Sequence, residues 1–185
     1  MEKFIKGALV LWGMSRILKQ NDEVLVTLEY GGLVKKVVYK VCLPWKVSVE
    51  ETVSREVKAL KALKDVPNVP AFVRRENGNS FYSKYIEGEP LSRFHGHLSS
   101  KYFDELMEIV RQCQEKGVYR LGQNRLDFLV KPDLGPAIID FGNVLFEDDY
   151  FFISRAAIAL VKAYSSLRVG DLQRRYATPH LDIFA

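Results

Sequence analysis

The first half of the chain consists of short runs in which apolar and polar residues alternate, with many β-branched and aromatic side chains. Because successive side chains of a strand point to opposite faces, each run predicts a β-strand. The five runs cover residues 16–19, 24–29, 35–42, 71–74 and 80–86. Short polar or glycine-containing segments at 21–23, 30–32 and 76–79 separate neighbouring runs and are typical of tight turns. The pattern therefore predicts an antiparallel sheet of five strands.

Apolar residues at three- and four-residue spacing predict three helices. The first follows the third strand, where Ser48 can cap its start, and its apolar face is Val53, Val57, Leu60 and Leu63. The other two lie in the second half of the chain, with a short β-hairpin between them. These elements are a helix over 101–116, a hairpin of 128–130 and 137–140, and a helix from about Tyr150 to Tyr164.

Gly88 and Pro90 interrupt the pattern, so residues 86–91 form the predicted linker. The linker divides the chain into a β-rich unit over 1–86 and a helical unit over 87–185. We therefore predict an α+β fold. Its first unit has a five-stranded antiparallel sheet with one helix, and its second has a short, truncated set of helices.

Composition places the chain among ordinary globular proteins, since 48% of its 185 residues are apolar and 27% are charged. The net charge is +4, but Lys and Arg are scattered, which argues against a nucleic-acid-binding surface. Cys42 and Cys113 form no CxxC pair, so the expected location is a reducing cytoplasm. The apolar stretch 7–14 is shorter than a membrane span and predicts a helix packed on the fold, so we expect no transmembrane segment.

Two short motifs carry candidate chemistry. Val38 and Lys40 lie two residues apart in the third predicted strand and therefore share a face. A lysine on an otherwise apolar face requires an anionic partner, although an exposed strand lysine is the alternative interpretation. In the second half, an apolar strand ends in Asp140-Phe141-Gly142, and the run Asp127-Phe128-Leu129-Val130 supplies its partner strand.

In this order, the elements and motifs resemble the protein-kinase-like fold, and in particular small atypical kinases. These are the RIO kinases, the kinase of the tRNA-modification (KEOPS) complex and the Kdo kinases of lipopolysaccharide. The resemblance implies that ATP and Mg²⁺ bind in a cleft between two lobes. It also implies three catalytic residues: Lys40 on the α- and β-phosphates, Glu56 as its partner, and Asp140 on the metal.

The resemblance implies further binding residues. Asp127 takes the position of a second metal ligand, where the family has asparagine. The segment that contains Lys84, Tyr85 and Ile86 resembles the hinge of small kinases, in which backbone N–H and C=O groups bind adenine. An ordinary turn between strand and helix is the alternative for that segment.

The sequence departs from the family pattern at three places. Counting back from Leu129, the position of the catalytic aspartate is Gly122, which cannot accept a proton. Asn21-Asp22-Glu23 stands where a glycine-rich loop would cover the phosphates, and its two acids would repel them. After Gly142 the chain has room for one long helix and a tail, so a complete peptide-docking platform is not expected.

These observations leave three functions open. The first is an atypical kinase that phosphorylates a Ser/Thr side chain, a sugar or a lipid hydroxyl with a degenerate catalytic loop. The second is an inactive pseudokinase that acts as a binding or scaffolding module for a protein, small-molecule or lipid partner. The third is an α+β nucleic-acid-binding protein in which the motif matches are accidental.

Overall fold

A computed structural model describes residues 15–41, 48–120, 126–146 and 155–177. The chain divides into two compact units. The first comprises Met1–Lys64 and Pro70–Tyr85, and the second comprises Asp65–Val69 and Ile86–Ala185. The N-terminal stretch 7–14, Cys42 and Gly122 lie outside the described residues.

The first unit contains the predicted antiparallel sheet of five strands, in the order β1-β2-β3-β5-β4. Its strands are β1 Arg16–Gln20, β2 Val24–Glu29, β3 Leu33–Val38, β4 Phe72–Asn77 and β5 Ser80–Lys84. The β1–β2 turn is closed by Asn21, whose Oδ1 accepts a hydrogen bond of 2.8 Å from the N–H of Val24. Gly31 and Gly32 adopt φ values of 78° and 71° in the β2–β3 turn, which favour glycine.

The third strand begins and ends earlier than predicted, at Leu33–Val38 instead of 35–42. Its last residue pairs with Val24, the first residue of β2. The neighbouring β5 ends its pairing with β3 one residue earlier still. The regular ladder ends there, because both neighbouring strands begin at this level and the N–H groups of Tyr39 and Lys40 both turn to the carbonyl of Glu23, just before β2. Lys40 therefore lies outside β3 and is exposed, which corrects the prediction that it belongs to the strand.

Helix α1, Val49–Ala62, contacts β4 and β5. The predicted cap is confirmed, because Ser48 Oγ accepts a hydrogen bond of 3.1 Å from the N–H of Glu51. The predicted apolar face is also confirmed, and all of its members are buried: Val53, Val57, Leu60 and Leu63.

Within its described residues, the second unit contains two helices, a 3-10 turn and two small sheets. The helical elements are α2 Ser100–Glu115, α3 Arg155–Tyr176 and the 3-10 turn Leu91–Arg93. The strands are β6 Glu89–Pro90, β7 Val118–Arg120, β8 Phe128–Val130, β9 Pro136–Ile138 and β10 Val144–Phe146. The sheets have the orders β6-β8-β9 and β10-β7. The β8–β9 hairpin was predicted, whereas β7 and β10 were missed because they pair with each other across a long stretch of chain, without a tight turn between them.

Helix α3 extends well beyond Tyr164, where the sequence predicted its end. Beyond Tyr164, residues at helical spacing still face the core: Val169, Leu172 and Tyr176 are all buried. The helix packs against α2 and β7. Burial of the apolar residues beyond Tyr164 outweighs the low helix propensity of Gly170. No helix in the described parts of the chain is long and apolar enough to cross a bilayer.

Candidate nucleotide and metal site

A lysine–glutamate ion pair lies on the inner face of the first unit's sheet. Nζ of Lys36 lies 2.9 Å from Oε1 and 2.8 Å from Oε2 of Glu56. Both side chains are withdrawn from solvent, with exposed fractions of 14% and 4%. Burying a carboxylate costs free energy unless it is paired with a positive charge. The lysine therefore stabilises the buried carboxylate of Glu56. The pair joins the middle strand of the sheet to α1.

The local sequence explains why these two residues meet. Lys36 lies two residues from Val34 and Val38, and the residues opposite it on β2 and β5 are Val26 and Phe81. Its face of the sheet is therefore apolar. Glu56 lies on the buried face of α1, together with Val53 and other apolar residues. Both residues lie among apolar neighbours, and the ion pair between them compensates charge that would be costly to bury.

The expected pairing of Lys40 with Glu56 is wrong, because the partner of Glu56 is Lys36. The backbone N–H of Lys40 donates to the carbonyl of Glu23, 3.3 Å away, beside the β1–β2 turn. Counting strand lengths would have excluded Lys40, because a strand as long as β2 that follows the turn 30–32 ends at Val38. Alternation would then have favoured Lys36 over Lys35, since Lys36 shares its face with Val34 and Val38.

The segment expected to act as a hinge has its first two amides already bonded. The N–H of Lys84 donates to the carbonyl of Ala71 at 2.8 Å, and the N–H of Tyr85 donates to that of Gly32 at 2.9 Å. Ile86, the next residue, makes no hydrogen bond to any described residue. Of the three expected hinge residues, Ile86 is therefore the one whose backbone N–H makes no hydrogen bond within the described residues.

Gly88 follows this segment and passes close to β8. A Cβ atom at this position would lie 2.9 Å from the carbonyl oxygen of Val130 and 3.0 Å from Cβ of Leu129. Any larger residue would push the backbone away from β8. The glycine predicted to interrupt the pattern is thus required by close packing within the second unit.

The Asp140-Phe141-Gly142 motif follows β9 in the second unit. Asp140 has a φ of 66°, in the left-handed region, which is strained for a residue other than glycine. Its Oδ1 accepts a hydrogen bond of 3.1 Å from the N–H of Gly142, and this bond stabilises the turn. Phe141 is fully buried and anchors the motif. The side chain of Asp140 is thereby held in a defined position at the end of the hairpin.

Asp127 lies at the same end of the hairpin as Asp140. It precedes β8, its carbonyl accepts a 2.8 Å hydrogen bond from the N–H of Ile139, and this bond extends the β8–β9 ladder by one step. Because the strands are antiparallel, the residue before β8 and the residues after β9 emerge together. The structure therefore places the two residues that the sequence predicted as metal ligands at the same end of the hairpin.

Asp127 and Asp140 offer carboxylate oxygens of the kind that Mg²⁺ takes as ligands. Mg²⁺ prefers oxygen ligands and is usually held by one or two carboxylates, with phosphate and water oxygens as the remaining ligands. In the described ranges no group of three or more potential metal ligands occurs, so these residues do not form a cage that would hold the ion by itself. Asp127 and Asp140 are the residues that would contact it.

Comparison with known proteins identifies the fold. No family model matches this sequence, and no curated protein matches it. Solved structures do match, and one of them is the crystal structure of the Rio2 kinase from Chaetomium thermophilum. The TM-score is 0.63 at 14% sequence identity, and the match covers 87% of this chain and 56% of that one. This chain therefore spans little more than half the length of that kinase.

The chain has the protein-kinase-like fold, as its sequence motifs implied. Within that fold it is similar to an atypical kinase of the RIO type, the first of the three groups that its element order and motifs resemble.

Proposed function

We propose that this chain is an atypical kinase-like protein that binds ATP and Mg²⁺ and transfers a phosphoryl group to a hydroxyl of Ser/Thr, a sugar or a lipid. The observation that carries the proposal is the Lys36–Glu56 ion pair, with distances of 2.9 and 2.8 Å. In protein kinases a lysine on the third strand, held by a helix glutamate, must be in place before phosphoryl transfer occurs.

The residues divide between phosphate, metal and base recognition. Lys36 binds the α- and β-phosphates, and Glu56 fixes the direction of its ammonium group. Asp140 and Asp127 hold Mg²⁺, which when bound neutralises charge on the phosphates. The backbone of Ile86 recognises adenine. Lys36 takes the phosphate-binding role that the family resemblance assigned to Lys40.

Transfer by this chain is expected to be slow. The position of the general base is Gly122, and a missing base typically costs ~10² to 10⁴-fold in rate, about 3 to 5 kcal/mol in the barrier. The β1–β2 turn carries Asp22 and Glu23 where a glycine-rich loop would bind phosphate. Positioning and charge neutralisation supply most of the catalysis in this reaction, so slow transfer is compatible with the retained residues.

Gly122, at the position of the general base, also favours a second function, that of a pseudokinase. Without an acid at position 122, the chain can act as a pseudokinase that binds nucleotide and serves as a binding or scaffolding module. Both functions require the Lys36–Glu56 pair and Asp140. They differ in whether phosphate leaves the nucleotide.

The binding step is tested by titrating the full chain with ATP and Mg²⁺ in a calorimeter. Replacing Lys36 with Met removes charge-assisted hydrogen bonds to phosphate and is expected to weaken ATP binding by about 10 to 100-fold. Lys35→Met is the matched control, because the neighbouring lysine faces the other side of the sheet and pairs with Glu76 at 2.7 Å. Lys40→Ala is expected to bind as the wild type does. Equal affinities for Lys36→Met and Lys35→Met would contradict the proposal.

The transfer step is tested with ATP labelled at the γ-phosphate. Wild-type chain is compared with Asp140→Asn and with Asp133→Asn, a control that changes an exposed aspartate at the opposite end of the same hairpin. Label on wild type and on Asp133→Asn, but not on Asp140→Asn, supports the kinase. Nucleotide binding without label on any chain supports the pseudokinase.

A further inference from the structure

Arg75 of β4 attaches the sheet of the first unit to helix α1. Its Nη1 donates a hydrogen bond of 3.0 Å to Oγ of Ser54, in the second turn of the helix. Its Nη2 lies 3.6 Å from Oε1 of Glu50, which is one turn earlier on the same side of α1. Arg75 therefore holds the first two turns of α1, and Ser54 lies only two residues before Glu56.

The other donors of Arg75 are bonded within its own hairpin. Nε donates to the carbonyl of Asn77 at 2.8 Å, and Nη2 donates to the carbonyl of Gly78 at 3.1 Å. Because these bonds fix a planar group, the β4–β5 turn sets the direction in which Nη1 points toward Ser54. The register of the two strands shifts between Arg75 and Asn77, and a bulge of this kind re-aims the side chains beside it.

Arg75 and Lys36 stand at the two ends of one row of side chains across the sheet. Both are paired with Phe81 of β5, Lys36 from β3 and Arg75 from β4. Residues directly opposite one another in antiparallel strands share a face, so the whole row lies on the inner face. Lys36 meets α1 at Glu56, and Arg75 meets it at Ser54. One row of the sheet thus makes both polar contacts with the helix.

These two contacts lie on opposite flanks of α1. Ser54 and Glu56 project in different directions, because residues two apart in an α-helix are separated by about 200° around its axis. Rotation of α1 about its axis would therefore break one contact or the other. The apolar residues beneath the helix resist rotation less, because burial of apolar surface is non-directional, whereas a hydrogen bond weakens steeply as its angle narrows.

The contact between Arg75 and α1 is better suited to setting a position than to stabilising the fold. The side chains of Arg75 and Glu50 have exposed fractions of 33% and 73%, and an exposed ion pair contributes little stability. Arg75 nevertheless donates to three separate acceptors, on Ser54, Asn77 and Gly78. Several bonds from one planar guanidinium group add geometric specificity.

We propose that Arg75 is a positioning residue for the phosphate-binding lysine. It fixes the rotation of α1, which places the carboxylate of Glu56 against Lys36 and thereby directs the ammonium group of Lys36. The expected effect on ATP rests on the proposed function. The expected effect on the Lys36–Glu56 pair does not, so the two are measured separately.

The effect on the ion pair is measured without nucleotide, by a double-mutant cycle in urea unfolding of the full chain. The cycle compares wild type, Lys36→Met, Glu56→Leu and the double variant, and it is repeated with Arg75→Gln in all four chains. The coupling between Lys36 and Glu56 is expected to fall by about three- to tenfold, expressed as an equilibrium constant. If Arg75 only stabilised the fold, Arg75→Gln would lower all four stabilities alike, and an unchanged coupling overturns the proposal.

Arg74→Gln is the matched control for this substitution. Arg74 precedes Arg75 in β4, but it is opposite Tyr82, and its guanidinium carbon lies 4.1 Å from the centre of the Tyr82 ring. Tyr82 is also opposite Lys35, on the outer face of the sheet. Arg74→Gln is therefore expected to leave the coupling between Lys36 and Glu56 as it is in wild type. An equal fall for Arg74→Gln and Arg75→Gln overturns the proposal.

Ser54→Ala carries the same test if Arg75→Gln does not fold. It removes the acceptor of Nη1 but leaves the bonds of Arg75 within the hairpin, and alanine has the higher helix propensity. Besides this contact, the Ser54 hydroxyl bonds only to the carbonyl of Glu50 within the helix, at 2.7 Å. Ser54→Ala is expected to reduce the coupling by about threefold. A coupling equal to that of wild type overturns the proposal.

The effect on ligand binding is measured by calorimetry of the full chain with ATP and Mg²⁺ and with adenosine. Arg75→Gln is expected to weaken ATP binding by about tenfold and to leave adenosine binding unchanged, because adenosine has no phosphate for Lys36. In a chain that carries Lys36→Met, Arg75→Gln is expected to cost no further affinity for ATP, since it acts through Lys36. Equal losses for ATP and adenosine overturn the positioning role. If wild type binds neither ligand, the proposed function fails, and the urea cycle still decides whether Arg75 positions Glu56.

Discussion

Lys35 and Lys36 are neighbours in β3 and serve different purposes because a strand alternates its faces. Lys36 points to the inner face, where it meets Glu56. Lys35 points to the outer face, where it lies 2.7 Å from Glu76 and 5.5 Å from the centre of the Tyr82 ring. The hydrogen bond from Lys35 lowers the pKa of Glu76, and Glu76 in turn raises the pKa of Lys35. One residue position thus separates a surface ion pair from the candidate phosphate-binding group.

Substitutions in the buried Lys36–Glu56 pair are expected to affect stability and ATP binding differently. Lys36→Met leaves the carboxylate of Glu56 buried without its lysine and is expected to lower the free energy of unfolding by about 3 kcal/mol. Combining Lys36→Met with Glu56→Leu removes both charges and is expected to recover most of that loss, because apolar residues suit this face. Urea unfolding measures both changes.

The double variant is expected to bind ATP no better than Lys36→Met, although it is more stable. Such a result would mean that the ion pair is retained for ligand binding and not for folding. A double variant as unstable as the single one would contradict the view that the face is otherwise apolar. Lys35→Met, which alters an exposed pair, is expected to change the free energy of unfolding by less than about 1 kcal/mol.

At the scale of elements, the β8–β9 hairpin positions the candidate metal ligands. One end of it is closed by the turn 131–135, where Asp133 accepts a 3.0 Å hydrogen bond from the N–H of Gly135. This bond lowers the pKa of Asp133. The other end carries Asp127 and Asp140. The hairpin is fully buried along both strands, so its two carboxylates stand on a rigid support.

The approach of β6 to this hairpin gives the prediction at this scale. Gly88→Ala would place Cβ 2.9 Å from the carbonyl oxygen of Val130, so the backbone must move. We expect a loss of about 1 to 3 kcal/mol in the free energy of unfolding, which is typical of overpacking. Urea unfolding of the variant measures it.

Gly78→Ala is the control for this substitution. Its added Cβ would make an ordinary contact of 3.5 Å with the side chain of Glu50. The expected change is within about 0.5 kcal/mol of wild type. Equal stabilities for Gly88→Ala and Gly78→Ala would mean that the segment before β6 can move away without cost.

At the scale of the whole molecule, folding is coupled to pH through carboxylates that are hydrogen-bonded in the folded chain. The pKa of Glu108 falls to about 2, because Arg111 and then Gln112 donate hydrogen bonds to it. The pKa values of Glu76 and Asp133 are also lowered. A lowered pKa in the folded state contributes stability above the ordinary pKa, and this stability is lost as the pH falls.

We therefore expect the free energy of unfolding to fall as the pH is lowered below about 4.5, the ordinary pKa of glutamate, and the contribution of Glu108 to persist until about pH 2. Arg111→Gln removes the principal donor to Glu108 and should make the decline shallower. Arg93→Gln, which removes another exposed arginine, controls for the lost charge. Urea unfolding at a series of pH values measures the slopes, and identical slopes for the two variants would contradict the assignment.

Much of this architecture could be predicted from the sequence. The alternation of apolar and polar residues predicted the five strands. Apolar residues at helical spacing predicted the first helix, with Ser48 as its cap. The Asp140-Phe141-Gly142 motif indicated the end of a hairpin. These signals are local, because each depends on residues that lie within a few positions of one another. The protein-kinase-like fold followed from their order along the chain.

The sequence by itself thus determined the kind of the main elements and placed Glu56 on the first helix and Asp127 and Asp140 at the hairpin. Only the tertiary structure decided which lysine meets Glu56, because the end of β3 depends on where its neighbours β2 and β5 begin and not on its own residues. It also decided which side of α3 is buried and which amide of the hinge segment is already bonded. Both depend on contacts between residues far apart in the chain, which no local pattern contains.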